Sequence, residues 1–97
     1  MIVVTASSNR ITATGHARYA QQGKDIVCAA VSSIVTTTIN DILALTEDKI
    51  KYDTQDGNVL ITVVSDNEVV EKLLNVMLNM LKELASDYPK NIKIGGL

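Results

Sequence analysis

The apolar residues of this chain change their spacing twice, from every second residue to every third or fourth and back, and no single motif restricts the fold as much. Ile2 to Ala6 is a short β-branched run, Ser7-Ser8-Asn9 is a turn cluster, and Ile11 to Gly15 alternates apolar with small polar residues. These segments read as the two strands of a hairpin. From Ile26 to about Leu45 the spacing turns helical, with Val27, Val31, Ile34, Val35, Ile42 and Leu45 along one stripe. The β-branched Thr36, Thr37 and Thr38 weaken that helix slightly. Lys49 to Thr54 and Val59 to Val64 return to strands, joined through Asp56-Gly57-Asn58, residues that tolerate positive φ. A second helix is expected from Asn67 to Ser86, with Asp66 as its cap and Tyr88-Pro89 beyond its end. Asn91 to Ile94 is a short last strand. The order β-β-α-β-β-α-β implies an α+β fold, a mainly antiparallel sheet with two helices packed on one face.

The 97 residues suit one domain with a real core, and no linker or internal repeat divides them. With three tyrosines and no Phe or Trp, that core must be built from Val, Ile, Leu, Met and Ala. The polar face of the second helix is Glu68, Lys72, Asn75, Asn79, Lys82 and Glu83. Apolar residues from Val69 to Leu84 cover more than half of its circumference, and Met77 and Met80 are expected in the core. That apolar arc is wider than a helix on a sheet needs, so the surplus should meet the first helix or a second copy of the chain. A net charge of −2 argues against nucleic-acid binding through phosphates, and no aromatic residues interleave with a basic stripe. No apolar run is expected to reach the roughly 20 residues of a membrane span, and the amino terminus lacks a signal-peptide pattern. One cysteine excludes an internal disulfide, which makes the cytoplasm the expected compartment.

The only histidine and the only cysteine, His16 and Cys28, lie in one segment from Gly15 to Ser32. A thiolate is a strong nucleophile, and imidazole is the side chain best suited to take its proton near neutral pH. Asp25 stands where a helix N-cap should stand, accepting the N–H of Cys28, so the cysteine falls in the first helical turn. There the free N–H groups and the helix dipole favour a negative charge on sulfur and could hold the oxyanion of a tetrahedral intermediate. Ser32 follows one turn later on the same face. His16 comes from the end of the second strand, and Ala17 to Lys24 read as a weakly anchored loop. Plainer readings stand beside these. A lone cysteine can be a small core residue, a histidine after glycine a turn residue, and Asp25 a cap without catalysis. Asp53 and Asp56 could bring carboxylates together, but they can simply flank a turn. One Cys and one His fall short of a metal site, and no cofactor fingerprint is present.

Gly15-His16-Ala17 followed by Gly23-Lys24-Asp25-Ile26-Val27-Cys28-Ala29-Ala30-Val31-Ser32 resembles the signature of the Prp family of ribosomal-processing cysteine proteases. The resemblance implies a small homodimeric bacterial protease that removes the N-terminal extension of a large-subunit ribosomal protein, thereby supporting ribosome assembly. It implies Cys28 as nucleophile, His16 as general base, and Gly15, Asp25 and Ser32 in support. It also implies a substrate-gating loop that includes Ala17, Arg18, Tyr19, Gly23 and Lys24. The peptide substrate would be the ribosomal protein precursor, with no cofactor, metal, nucleic acid or membrane involved. Two departures are visible: Arg18 stands where the family often has glycine, and Gln21-Gln22 where an acidic or aromatic residue is frequent. Two other readings of the chain are a non-catalytic dimeric adaptor of the same fold and a phage-type protease acting on capsid or scaffold proteins.

Overall fold

The computed structural model describes residues 1–21 and 23–95, so Gln22, half of the second departure, lies outside the described residues. Its elements follow the expected order: β1 (Ile2–Ala6), β2 (Arg10–Thr14), α1 (Ile26–Leu45), β3 (Ile50–Gln55), β4 (Asn58–Val63), α2 (Glu68–Asp87) and β5 (Ile92–Gly95). The five strands form one sheet in the order β3-β4-β2-β1-β5. All neighbours are antiparallel except β1 and β5, which run parallel. The parallel pair follows from the connections. β2-α1-β3 crosses over β4 in one direction, and β4-α2-β5 crosses over β2 and β1 in the other. Because β2 and β4 point opposite ways, right-handed crossovers put both helices on the same face.

That face holds the core. Register pairs Val4 with Ala13 and Ile11 with Ile61, and Ile2 with Ile92, so their side chains point together under the helices. Val27, Val31, Val35, Ile39 and Ile42 of α1 and Val70, Leu74, Met77 and Leu81 of α2 close over them. The opposite face carries threonines and charged residues, among them Thr5 and Thr12, whose hydroxyls hydrogen-bond each other.

Four local expectations change. The cap of α2 is Asn67 rather than Asp66: its Oδ1 accepts the N–H groups of Val69 and Val70 at 2.9 and 3.1 Å. Asp66 stands one residue too early to reach them. Thr38 and Ile39 continue the buried stripe of α1, whereas Leu45 turns off it at the last turn and is 66% exposed. Thr38 can lie in the core because its hydroxyl donates to the Ile34 carbonyl at 2.9 Å. Met77 is buried, but Met80 is exposed, on a neighbouring stripe of α2. Finally, α1 as a whole is long and apolar enough to cross a membrane by length and composition, with mean hydropathy 1.7. The stripe from Val27 to Ile42 instead packs on the sheet and α2.

Candidate active site

The site begins where β2 ends. Gly15 has φ +97°, and its N–H donates to the Gly57 carbonyl at 2.7 Å. A Cβ at Gly15 would collide with the Met1 carbonyl oxygen, so glycine is required there for space as well as for its backbone angle. The segment after β2 that carries His16 is therefore pinched between the start of β1 and the β3–β4 turn. Gly57, at the tip of that turn with φ +74°, faces the imidazole directly: a Cβ there would stand 2.8 Å from Nε2 of His16. The ring is exposed and leans on a bare Cα.

Cys28 is set by Asp25. One carboxylate oxygen of Asp25 accepts the N–H groups of Val27 and Cys28, each at 3.0 Å, which places Cys28 at the third position of α1. The other oxygen accepts the N–H groups of Tyr19 at 2.9 Å and Ala20 at 3.4 Å. The Cys28 N–H does most to hold the Asp25 carboxyl below its ordinary value, partial burial opposes this, and the Tyr19, Ala20 and Val27 donors add to the lowering. One residue thus ties the helix start to the loop. This changes one expectation, because the Val27 and Cys28 N–H groups are already committed to Asp25. A different donor is aimed at the sulfur: the N–H of Ala17, 3.3 Å from Sγ.

His16 and Cys28 line one cleft of about 500 Å³ together with Arg18, Ala20, Gly23, Asp25, Ala29, Ser32 and Asp56. A smaller hollow of about 140 Å³ shares His16, Cys28, Ser32 and Asp56 and continues toward Val31, Val35 and Val59. A second cleft of about 480 Å³, between the β1–β2 turn and α2, contains neither histidine nor cysteine. Among the described residues no three His, Cys, Asp or Glu side chains gather to hold a metal ion.

A sequence model of the family described as cysteine protease Prp matches residues 1–93. The chain belongs to the Prp family and is a cysteine protease. It is similar to the ribosomal processing cysteine protease Prp of Mycoplasma genitalium, at 33% identity over 97% of this chain and 94% of that one. The Prp of Staphylococcus aureus is 34% identical over 82% of this chain and 78% of its own. The crystal structure of an essential ribosomal processing protease Prp from S. aureus, with a covalently linked product peptide, superposes with TM-score 0.92 at 28% identity, covering all of both chains.

Within this Prp-family fold the structure brings together His16, Arg18, Gly23, Asp25, Cys28 and Ser32 around the cleft. Gly15 acts from beneath, as backbone. Three loop residues do not line the cleft. Ala17 is buried in the core at 1% exposure. Tyr19 packs edge-on against Tyr88 with ring centres 5.4 Å apart. Lys24 closes a turn through its N–H to the Gln21 carbonyl. The loop is therefore better anchored than its composition suggests, since backbone N–H groups and two residues near the carboxyl end, Tyr88 and Asn91, hold it. Arg18 adopts φ +56°, the left-handed region in which glycine is at ease, so the departure at this position puts a strained side chain on the cleft rim. Gly57 was legible only as a turn residue, and nothing local places that turn, or the Asp56 carboxylate, beside His16.

Proposed function

We propose that this chain is an endopeptidase that removes the N-terminal extension of a large-subunit ribosomal protein, with Cys28 as nucleophile and His16 as general base. The observation that carries the reading is the shared cleft: one thiol in the first turn of α1, one imidazole on its rim, and a backbone N–H aimed at the sulfur. The names of the relatives and the peptide-bound S. aureus structure support the choice of substrate.

In the proposed reaction His16 takes the thiol proton, and Sγ attacks the scissile carbonyl carbon. The imidazolium then returns its proton to the leaving amine as the peptide C–N bond breaks. Water, deprotonated by His16, releases the acyl group from sulfur. Asp25 keeps the sulfur and the loop in register, while Ser32 and Asp56 line the cleft through which the peptide would pass. Arg18 and Gly23 lie on the rim, where the gating loop would open and close. The reaction would run in the cytoplasm, where the thiol stays reduced and the precursor is made.

The test is incubation with the full-length precursor and with a version lacking the extension. A single new amino terminus is expected with the wild type, and none with Cys28→Ala. His16→Ala should lose most of the rate. Cleavage that survives Cys28→Ala would remove the mechanism, and cleavage of unrelated unfolded proteins at equal rate would remove the substrate.

A further inference from the structure

The donor aimed at Cys28 is held in place by a side chain from the other end of the chain. Ala17 gives its N–H to Sγ at 3.3 Å, and its own carbonyl accepts Nδ2 of Asn91 at 2.9 Å, across 74 positions of sequence. Asn91 is itself fixed on both sides. Its N–H donates to the Tyr88 carbonyl at 3.0 Å, and its carbonyl accepts the Ile2 N–H at 2.8 Å. It thus sits between the end of α2 and the first residue of β5, whose Ile92 is 2% exposed and pairs with Ile2. Immediately after Ala17 the chain turns through Arg18 at φ +56°, a backbone state that a non-glycine residue keeps only when its neighbours hold it there.

We infer that Asn91 is a positioning residue for the cysteine: it clamps Ala17 so that the Ala17 N–H stays on the sulfur. A sulfur that develops or carries negative charge gains from a fixed backbone donor, and a tetrahedral intermediate formed on that sulfur brings its oxyanion within the same neighbourhood. The partner of Asn91 is a carbonyl, so its role needs a donor and shape alone does not meet it. Asn91→Asp has nearly the same shape and no donor when ionised, and it faces the Ala17 carbonyl with like charge. Asn91→Ala removes both shape and donor.

The proposal rests on Cys28 as the nucleophile, and the experiment separates the two. Full-length wild type, Asn91→Asp, Asn91→Ala and Cys28→Ala are compared for thermal melting, for kcat and KM on the precursor, and for the pH profile of Cys28 labelling by iodoacetamide. Both Asn91 variants are expected to fold, keep KM within about twofold, and lose about tenfold in kcat, the effect of one lost bond to a charged group. Their labelling profiles should move to higher pH, and Asn91→Asp should be impaired at least as much as Asn91→Ala. Wild-type kcat and labelling in Asn91→Asp would overturn the inference. So would a loss of kcat that tracks the folded fraction with an unmoved labelling profile in either variant. Cleavage by Cys28→Ala would instead overturn the nucleophile assignment, and the labelling comparison would still report whether Asn91 acts on the thiol.

Discussion

Gly57 illustrates how a residue with no chemistry of its own can govern the side chain proposed as general base. Its missing Cβ leaves the space in which the His16 ring lies, 2.8 Å from where that atom would be. Because the ring is exposed, it rather than the backbone should yield to an added methyl. Gly57→Asn tolerates the left-handed turn yet carries a Cβ, and is expected to melt close to wild type while kcat falls about tenfold or more. Gly57→Ala should show the same kinetic loss with an added destabilisation of about 1 kcal/mol from its φ. Unchanged kcat in Gly57→Asn would show that the ring does not depend on this gap. Asp25 gives the pH prediction. Its carboxyl is depressed in the folded protein, so its stabilising contribution is full above the ordinary value of 3.8 and is lost as pH falls through the lower folded value. Acid unfolding of wild type should therefore contain a transition below pH 3.8 that Asp25→Asn lacks. At neutral pH that amide can cap α1 but offers one acceptor oxygen where two are used, so activity should fall more than stability.

At the scale of elements, the two helices are specified differently. In α1 the stripe from Val27 to Ile42 was readable from spacing, and so was the Asp25 cap, because both depend on residues within one or two turns. The role of Thr38 was not, since a threonine enters a core only when a carbonyl one turn back takes its hydroxyl. Ile42, fully buried at the centre of the core, is the position where truncation should tell most: Ile42→Ala is expected to cost about 2–5 kcal/mol in urea unfolding. Asn67→Ala at the start of α2 should cost about 1 kcal/mol in the same measurement, whereas Asp66→Ala should cost little, because Asn67 makes the capping bonds. Equal losses at the two positions would contradict the observed cap.

For the whole molecule, α2 presents two neighbouring apolar stripes. Val70, Leu74, Met77 and Leu81 face the core, while Val69, Val76 and Met80 remain 40–55% exposed. This exposed stripe is the surplus apolar arc expected from the sequence to meet the first helix or a second copy of the chain. Val76→Lys with Met80→Lys should then convert a concentration-dependent dimer to a monomer in sedimentation equilibrium without changing the fold. A wild type that stays monomeric at all concentrations would remove the dimer.

The sequence by itself determined the element order, the helix boundaries to within a residue and the Asp25 cap that sets Cys28 in the first turn of α1. Each of these follows from contacts between near neighbours, which repeat with the period of the backbone and so leave a pattern in the residues. Only the tertiary structure decided that the β3–β4 turn lies under His16, that Asp56 borders the cleft, and that Tyr88 and Asn91 brace the loop. Those contacts arise because the two crossovers fold the ends of the chain onto one sheet, β4 beside β2 and β5 beside β1. Sheet pairing has no local period that announces its partner, so residues far apart in sequence meet at the site without a mark in the sequence.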